Sequence, residues 1–186
     1  IADYTKAIEL NPEYDYYYSD RGNAKYNLED YSGAIADYTK AIELDPEYDI
    51  YYSDRGRAKF NLEDYSGAIA DYTKAIELDP EYAHDLFAMR GTSKYNLEDY
   101  SGAIEDYTKA IEINPEDDNY YSNRGDAKFE LDDYSGAIED YTKAIELDPE
   151  FKYAYGMRGL VKFNLEDYSG SIEDYTKAIE LDPEYS

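Results

Sequence analysis

The side chains that most often perform catalysis or hold a metal are scarce in this chain. It contains one histidine, His84, and no cysteine. Catalysis needs a nucleophile, a base or a metal held in a dry cleft, and a lone histidine in an irregular segment is most simply a surface residue. The acidic stretch 116–118 lacks the alternating ligand spacing of a calcium loop, and no glycine-rich phosphate loop is present. We therefore predict that the chain is not an enzyme and needs no cofactor or metal.

Basic side chains recur as pairs four residues apart, for example Arg55 and Lys59, at matching places along the chain. Residues four apart share one face of a helix, so these pairs could form a basic ladder that binds an acidic ligand. Alternatively, carboxylates such as Asp71 neutralise them within the fold while their methylene stems fill space. We favour the second interpretation, because the pair occurs in every copy whereas a ligand site is usually local.

Acidic residues dominate the composition. The chain has 44 acidic and 18 basic residues, which give a formal net charge of −26. Nucleic acid and anionic membranes are bound mainly through Lys and Arg, so we expect neither as a partner. The charge favours solubility and allows basic or neutral proteins and peptides as partners. No apolar run approaches the ~20 residues that span a bilayer, and no signal peptide is visible. We expect a soluble and most simply cytoplasmic protein, although the sequence leaves the compartment open.

The positions of these residues follow an internal repeat. The string Ser-Gly-Ala-Ile begins at Ser32 and recurs at steps of 34, 35, 34 and 34 residues, with Ser-Gly-Ser-Ile as the last copy. The one extra residue falls between Pro80 and Arg90. A period of 34 residues with alternating helical segments is typical of stacked helical hairpins.

The copy at 49–82 predicts two helices. The second has apolar residues at gaps of three and four, which place them on one helical face; they are Ala68, Ile69, Tyr72, Ala75 and Ile76. Asp71, Lys74 and Glu77 fall on the other side of this helix.

Two further residues of this copy predict how its helices begin and pack. Asp64 can cap the free amide groups of the second helix. Gly56 lies inside the first helix, where glycine costs roughly 1 kcal/mol relative to alanine. Its recurrence in every copy predicts that a neighbouring helix crosses there at short range.

These residues resemble the tetratricopeptide repeat family in order and spacing. The matching positions are Gly56, Ala68, Ala75, Tyr52, Tyr65, Tyr72 and Pro80. Arg55 and Lys59 depart from the Leu and Tyr usual in the family, and this Arg-Gly variant resembles bacterial, especially cyanobacterial, members. The resemblance implies an all-α fold, a right-handed α-solenoid of helix-turn-helix units with about eleven helices.

The chain is predicted to be one solenoid domain over 1–186, since no linker divides it. The predicted segments are the second helix of a partial repeat at 1–14 and full repeats at 15–48, 49–82, 83–117, 118–151 and 152–186. The array begins part-way through a unit and lacks terminal caps, which predicts a fragment of a longer array or a designed one. The near-identity of the copies fits recent duplication and consensus design equally.

The resemblance also implies a binding surface, because the first helix of each family unit lines a concave groove. The corresponding positions vary here from unit to unit while the core positions repeat. The candidate peptide-binding residues are Tyr16, Asp20, Asn23, Asn27, Ile50, Asp54, Arg57, Asn61, Asp85, Met89, Thr92, Asn96, Asn119, Asn123, Asp126, Glu130, Tyr153, Met157, Leu160 and Asn164. Such variation is typical of a recognition surface and equally of drift on a solvated face.

Three features of these candidates bear on the ligand. Arg57 is the only base, unlike in family members with a carboxylate clamp for chaperone tails, so we do not expect a clamp for an acidic C-terminus. An amide ladder could bind a peptide backbone; its members are Asn27, Asn61, Asn96 and Asn164. The fifth unit is the most apolar, through Tyr153, Met157, Leu160 and Phe163. It either anchors a hydrophobic side chain or marks the face for a further neighbour.

We predict a protein–protein interaction scaffold that binds an extended or helical partner segment in the groove. Two alternatives stay open. One is a structural array that associates head-to-tail through its uncapped ends. The other is an engineered repeat protein with no natural ligand.

Overall fold

The computed structural model describes residues 1–81 and 83–182, which form eleven α-helices and no strand. The helices are α1 (Ala2–Leu10), α2 (Asp15–Tyr26), α3 (Tyr31–Leu44), α4 (Asp49–Asn61), α5 (Tyr65–Leu78), α6 (His84–Asn96), α7 (Tyr100–Ile113), α8 (Asp118–Glu130), α9 (Tyr134–Leu147), α10 (Lys152–Asn164) and α11 (Tyr168–Leu181). α2 packs on α3, α4 on α5, α8 on α9 and α10 on α11 as helix-turn-helix hairpins, and the predicted fold class is confirmed.

The turn inside each hairpin uses the same local devices. In the α4–α5 hairpin, Asp64 accepts a hydrogen bond from the backbone N–H of Gly67 at 3.0 Å, which confirms the predicted cap. The preceding residue, Glu63, has φ of 60°, a left-handed conformation that costs a residue with a side chain about 1–2 kcal/mol. The turn thus reverses the chain at a local cost, which the packing of the two helices must offset.

The two helices of a hairpin cross closely where glycine faces tyrosine. The Tyr72 ring of α5 lies over Gly56 of α4, and a Cβ on Gly56 would be only 2.8 Å from Tyr72 Cε1. Tyr72 is 1% exposed. The close crossing that the recurring glycine predicted is therefore present, and burying a tyrosine ring there stabilises the hairpin through its large apolar area.

Small residues also let successive hairpins nest. Ala58 of α4 packs against Ala34 and Tyr38 of α3, and Tyr51 of α4 packs against Tyr18 and Ala41. The next first helix therefore contacts the second helix of the hairpin before it. At these contacts alanine side chains meet tyrosine rings, and the buried apolar residues are mainly alanine and tyrosine.

The chain divides into two compact units, Ile1–Leu97 and Glu98–Ser186. The first unit contains α1 to α6, and the second contains α7 to α11. In the second unit, the core is built by Tyr121, Ala137, Tyr141, Ala144, Ala154 and Val161. The organisation as one solenoid domain stays a prediction.

Candidate functional site

The predicted binding residues lie on the first helices of the hairpins. In the first unit they belong to α2, α4 and α6, and in the second unit to α8 and α10. Each of them is exposed or partly exposed. Asp54, Met89, Thr92, Asn123, Asp126, Met157 and Leu160 are the partly exposed members. The surface is therefore accessible within each unit, and its details differ from hairpin to hairpin.

A recurring ion-pair cluster fixes the first helices α2, α4, α8 and α10. The Arg55 guanidinium donates to both oxygens of Asp71, at 2.9 Å from Nε and 2.6 Å from Nη2. Its Nη1 donates to Thr39 of the preceding hairpin at 3.2 Å, and Lys59 Nζ lies 2.8 Å from Asp71. The interpretation that these basic pairs are neutralised inside the fold is confirmed. Asp71, however, is 4% exposed, so its assignment to the polar face of the helix was wrong, because two cations from the facing helix draw it inward.

The same cluster shifts the acid–base behaviour of its carboxylates. Burial raises the pKa of Asp37, but hydrogen bonds from Arg21 and Lys25 outweigh that effect and hold the pKa below its usual value. The pKa of Asp174 is lowered in the same way, with burial again opposed by two cations. These carboxylates therefore stay ionised at neutral pH, and their partners serve the frame rather than a ligand.

A cavity of about 290 Å³ opens between the first helices of the first unit. It is lined by Tyr26, Arg57, Phe60, Asn61, Tyr72, Met89 and Thr92. Four of these are predicted binding residues: Arg57, Asn61, Met89 and Thr92. Tyr26, Phe60 and Tyr72 complete the cavity; of these, Tyr72 was predicted by its spacing to lie on the apolar face of the second helix.

Arg57 and Tyr72 form the polar part of this cavity. The Arg57 guanidinium stacks over the Tyr26 ring at 5.3 Å and lies 3.7 Å from Asp54. Its side chain is 49% exposed. Burial raises the pKa of the Tyr72 phenol, so its hydroxyl stays protonated and can donate at neutral pH. Both groups are hydrogen-bond donors, and neither donates to another side chain or carbonyl among the described residues.

The corresponding tyrosines of two other hairpins differ in this respect. Tyr38 donates to Asn23 at 2.7 Å, and Tyr141 donates to Asp126 at 2.7 Å. Asn23 and Asp126 occupy the repeat position that Arg57 occupies in its hairpin. In those two hairpins an acceptor sits above the tyrosine, whereas in the α4–α5 hairpin a cationic donor replaces it.

Two asparagines of the predicted amide ladder, Asn61 and Asn96, already donate side-chain hydrogen bonds within the fold. Asn61 Nδ2 donates to the Tyr26 hydroxyl and to the Arg57 carbonyl, both at 2.9 Å. Asn96 Nδ2 donates to the Thr92 carbonyl at 2.8 Å. Asn61 therefore offers a ligand its carbonyl oxygen rather than its N–H groups.

In the second unit, the corresponding face is organised around Asp126. Its carboxylate accepts from Tyr141 and also from Tyr153, at 2.9 Å, which reaches back from the next first helix. Burial raises the pKa of Asp126 more than these hydrogen bonds lower it. Met157 packs against the core of the same unit. The apolar fifth hairpin therefore contributes part of its surface to its own core.

His84 begins α6, and its Nδ1 lies 3.4 Å from the Asp85 carboxylate. Across the described segments, 1–81 and 83–182, no three His or carboxylate side chains converge in an arrangement that could hold a metal ion. Nor is any helix in that part of the chain both long and apolar enough to cross a membrane.

Family models match most of the chain. The tetratricopeptide repeat model matches residues 16–48, 50–82, 119–151 and 153–185, and a second model, described as TPR repeat, matches residues 91–132. A comparison with curated proteins finds no significant relative.

Solved structures with the same fold are numerous. The crystal structure of YrrB, a TPR protein with an unusual peptide-binding site, has a TM-score of 0.82 and 28% identity, and the match covers 98% of this chain and 93% of YrrB. MamA from Desulfovibrio magneticus RS-1 has a TM-score of 0.87 and 20% identity, covering 92% and 97%. Another MamA structure has a TM-score of 0.84 and 24% identity, covering 87% and 94%. The two MamA similarities show the shared fold.

Proposed function

This chain belongs to the tetratricopeptide repeat family, and from that premise we propose that it is a non-enzymatic interaction scaffold. Its first helices bind an extended or helical segment of a partner protein. The binding surface comprises the exposed first-helix positions of α2, α4 and α6 in one unit and of α8 and α10 in the other.

The observation that carries this proposal is the contrast between a constant frame and a variable face. Arg21, Arg55, Arg124 and Arg158 make the same contacts with Asp and Thr, as in Arg124 with Asp140 and Thr108. Two residues after the arginine of each repeat lies an exposed or partly exposed position whose chemistry changes completely. It is occupied in turn by Asn23, Arg57, Thr92, Asp126 and Leu160. A scaffold needs a rigid frame, and discrimination among ligands needs different groups along one face.

Similarity to YrrB supports a peptide as the ligand class, since that protein has a peptide-binding site and matches this chain over nearly its full length. The net charge of −26 favours a partner that is basic or neutral overall, because charge complementarity speeds association and excludes like-charged proteins.

The proposal is tested with a random peptide library displayed on phage and selected on the full chain. We expect the selected peptides to lose binding to the variant Arg57→Ala/Asn61→Ala/Asn96→Ala. The matched control is Lys40→Ala/Lys74→Ala, which alters exposed second-helix pairs with glutamate. Selected peptides that bind the first-helix variant as tightly as the control variant would contradict the proposed surface.

A second candidate function is self-association, and one observation favours it. Ile172 and Ile179 of α11 are 65% and 51% exposed, whereas Ile138 and Ile145 at the same places in α9 are partly buried against a core. An apolar helix face of this kind can stack on another copy. Sedimentation equilibrium over a wide concentration range tests this function: a monomer throughout rules it out, and Ile172→Lys/Ile179→Lys should abolish any assembly seen.

A further inference from the structure

The cavity between α2, α4 and α6 brings two donors together, and the carboxylate that pairs with Arg57, that of Asp54, lies 3.7 Å away, beyond hydrogen-bond distance. The Arg57 guanidinium and the Tyr72 hydroxyl both line it, and neither donates a hydrogen bond to a described residue. Tyr72 is 1% exposed, so its ring is fixed and its hydroxyl can meet a partner only through the cavity. The half-exposed Arg57 guanidinium and the Tyr72 hydroxyl both border the cavity, so a ligand that displaces water from it binds best when it brings an acceptor for these donors.

An internal comparison indicates what kind of side chain fits. In the second unit, the tyrosine side chain of Tyr153 reaches back and hydrogen-bonds Asp126, the counterpart of Arg57. The residue that corresponds to Tyr153 after Arg57 is Asp85, which is much shorter. The first unit therefore has a space of the size of a side chain at the place that Tyr153 fills in the second unit. The polar group beside this space is the cationic donor Arg57, whereas in the second unit it is the carboxylate acceptor Asp126.

We propose that this cavity binds the carboxylate of a glutamate or aspartate side chain from the partner segment. One carboxylate oxygen accepts from Arg57 and the other from Tyr72, and the methylene stem lies against Phe60 and Met89. Charge complementarity selects an anion over a neutral acceptor, because Arg57 is the only base among the predicted binding residues. This inference rests on the proposed peptide-binding function and names the residue that anchors the peptide.

The charge of the surrounding surface determines which residues can flank this glutamate or aspartate in the partner segment. Asp20 on the neighbouring helix α2 is exposed, and the whole chain carries a charge of −26. An acidic segment would be repelled, so the partner segment carries one carboxylate among neutral or basic residues. The single carboxylate of the partner segment then fixes how the segment aligns with the groove. The basic residues that flank it face the acidic surface of this chain.

The test uses the full chain and a synthetic library of short peptides, acetylated and amidated so that no terminal carboxylate is present. The central residue is fixed as Glu, Gln, Tyr or Leu, and the flanking positions are randomised without acids. By fluorescence anisotropy, we expect the Glu set to bind about tenfold more tightly than the Gln set, because hydrogen bonds to a charged group are stronger than neutral ones.

Three variants assign the preference to the cavity. Arg57→Gln and Tyr72→Phe should each reduce the preference for Glu over Gln. Tyr38→Phe is the matched control, because that hydroxyl is bound to Asn23 and lies outside the cavity lining; this variant should keep the full preference. Thermal melts establish that each variant is folded before binding is compared.

The outcomes separate this inference from the proposed function. If peptides bind but Gln, Tyr or Leu sets bind as well as Glu, the carboxylate site is overturned and the scaffold function stands. The carboxylate side-chain site is likewise overturned if a further Gln set, made with a free C-terminal carboxylate, binds as tightly as the amidated Glu set. If no set binds, both the carboxylate site and the peptide-binding function are overturned.

Discussion

The Arg55 guanidinium and the Asp71 carboxylate form a two-point ion pair that joins the two helices of one hairpin, with donor–acceptor distances of 2.6 and 2.9 Å. Removing the carboxylate by Asp71→Ala leaves two cations, Arg55 and Lys59, mostly buried without their counter-ion. We expect a loss of about 3 kcal/mol in the free energy of unfolding, the low end of the range for a broken buried pair, because both cations retain some solvent contact. Urea unfolding followed by circular dichroism measures it.

The control for this prediction is an exposed pair in the same hairpin. Lys74 and Glu77 lie 3.9 Å apart, and both are largely exposed. Surface pairs contribute little, so Glu77→Ala should change the free energy of unfolding by less than about 1 kcal/mol. Equal losses in the two variants would show that Asp71 is not a structural anchor.

The sequence predicts the recurring helix contacts of this fold well, because a 34-residue repeat places the same residue types at the same positions of successive hairpins. The recurrence of Arg55 and Lys59 in every copy indicated pairing inside the fold, and Gly56 indicated a close helix crossing. Asp71 was misplaced because an apolar-periodicity argument assigns every carboxylate to the outer face. Its burial depends on Arg55 and Lys59 from the facing helix, a pairing that the recurrence of these cations predicted but that the apolar pattern of its own helix does not show.

The cavity was the part least accessible to sequence reasoning. Tyr72 has the spacing of a core residue, and its ring is indeed buried. What distinguishes it from Tyr38 is the chemistry of the residue above it, Arg57 in place of Asn23. The signal was present as a basic residue outside the repeat pattern, but a cavity formed by three helices requires their packing to be known.

The raised pKa of Asp126 predicts a pH dependence of stability. A carboxyl whose pKa is higher in the folded state than its unfolded value of 3.8 binds its proton more readily when folded. Its ionisation therefore opposes folding at neutral pH, and that cost disappears as pH falls through its folded pKa. We expect Asp126→Asn to be more stable than the wild type at pH 7, with the difference shrinking as pH approaches 4.

This prediction is measured as the difference between the two melting temperatures at several pH values. Asp20→Asn removes one exposed charge of the same sign and corrects for the change in net charge. At still lower pH, Asp37 and Asp174 act oppositely: because their pKa values are lowered in the folded state, the stability they contribute is present above the unfolded value of 3.8 and is lost as pH falls through the folded values. A stability difference for Asp126→Asn that grows on acidification contradicts the assignment.

The left-handed residue in the hairpin turn predicts a stabilising substitution. Glu63 has φ of 60°, where glycine has no steric penalty. After the greater chain entropy of glycine is subtracted, we expect Glu63→Gly to raise the free energy of unfolding by up to about 1 kcal/mol. Glu63→Gln removes the charge while keeping the Cβ and should not reproduce the gain. In the exposed helix position Glu77, substitution by glycine should instead lower stability by about 1 kcal/mol.

Added salt should raise the melting temperature, because the net charge of −26 makes the folded chain repel itself. At about 0.15 M monovalent salt, the Debye length falls to about 8 Å, which screens exposed charges but affects buried pairs such as Arg55–Asp71 much less. Calorimetry in sodium chloride and in choline chloride separates screening from sodium binding. A melting temperature that falls steadily from low to moderate salt contradicts the prediction.

Tyr72→Phe and Tyr38→Phe remove the same atom from two rings that are each 1% exposed, yet they should differ in stability. Tyr38 loses its hydrogen bond to Asn23, so we expect its variant to lose about 1 kcal/mol of unfolding free energy. Tyr72 loses no protein partner, and its variant should stay within about 0.5 kcal/mol of the wild type. A hydroxyl kept without structural benefit is available to a ligand. Equal destabilisation in the two urea titrations would instead show that the Tyr72 hydroxyl serves the fold, and would remove it from the binding surface.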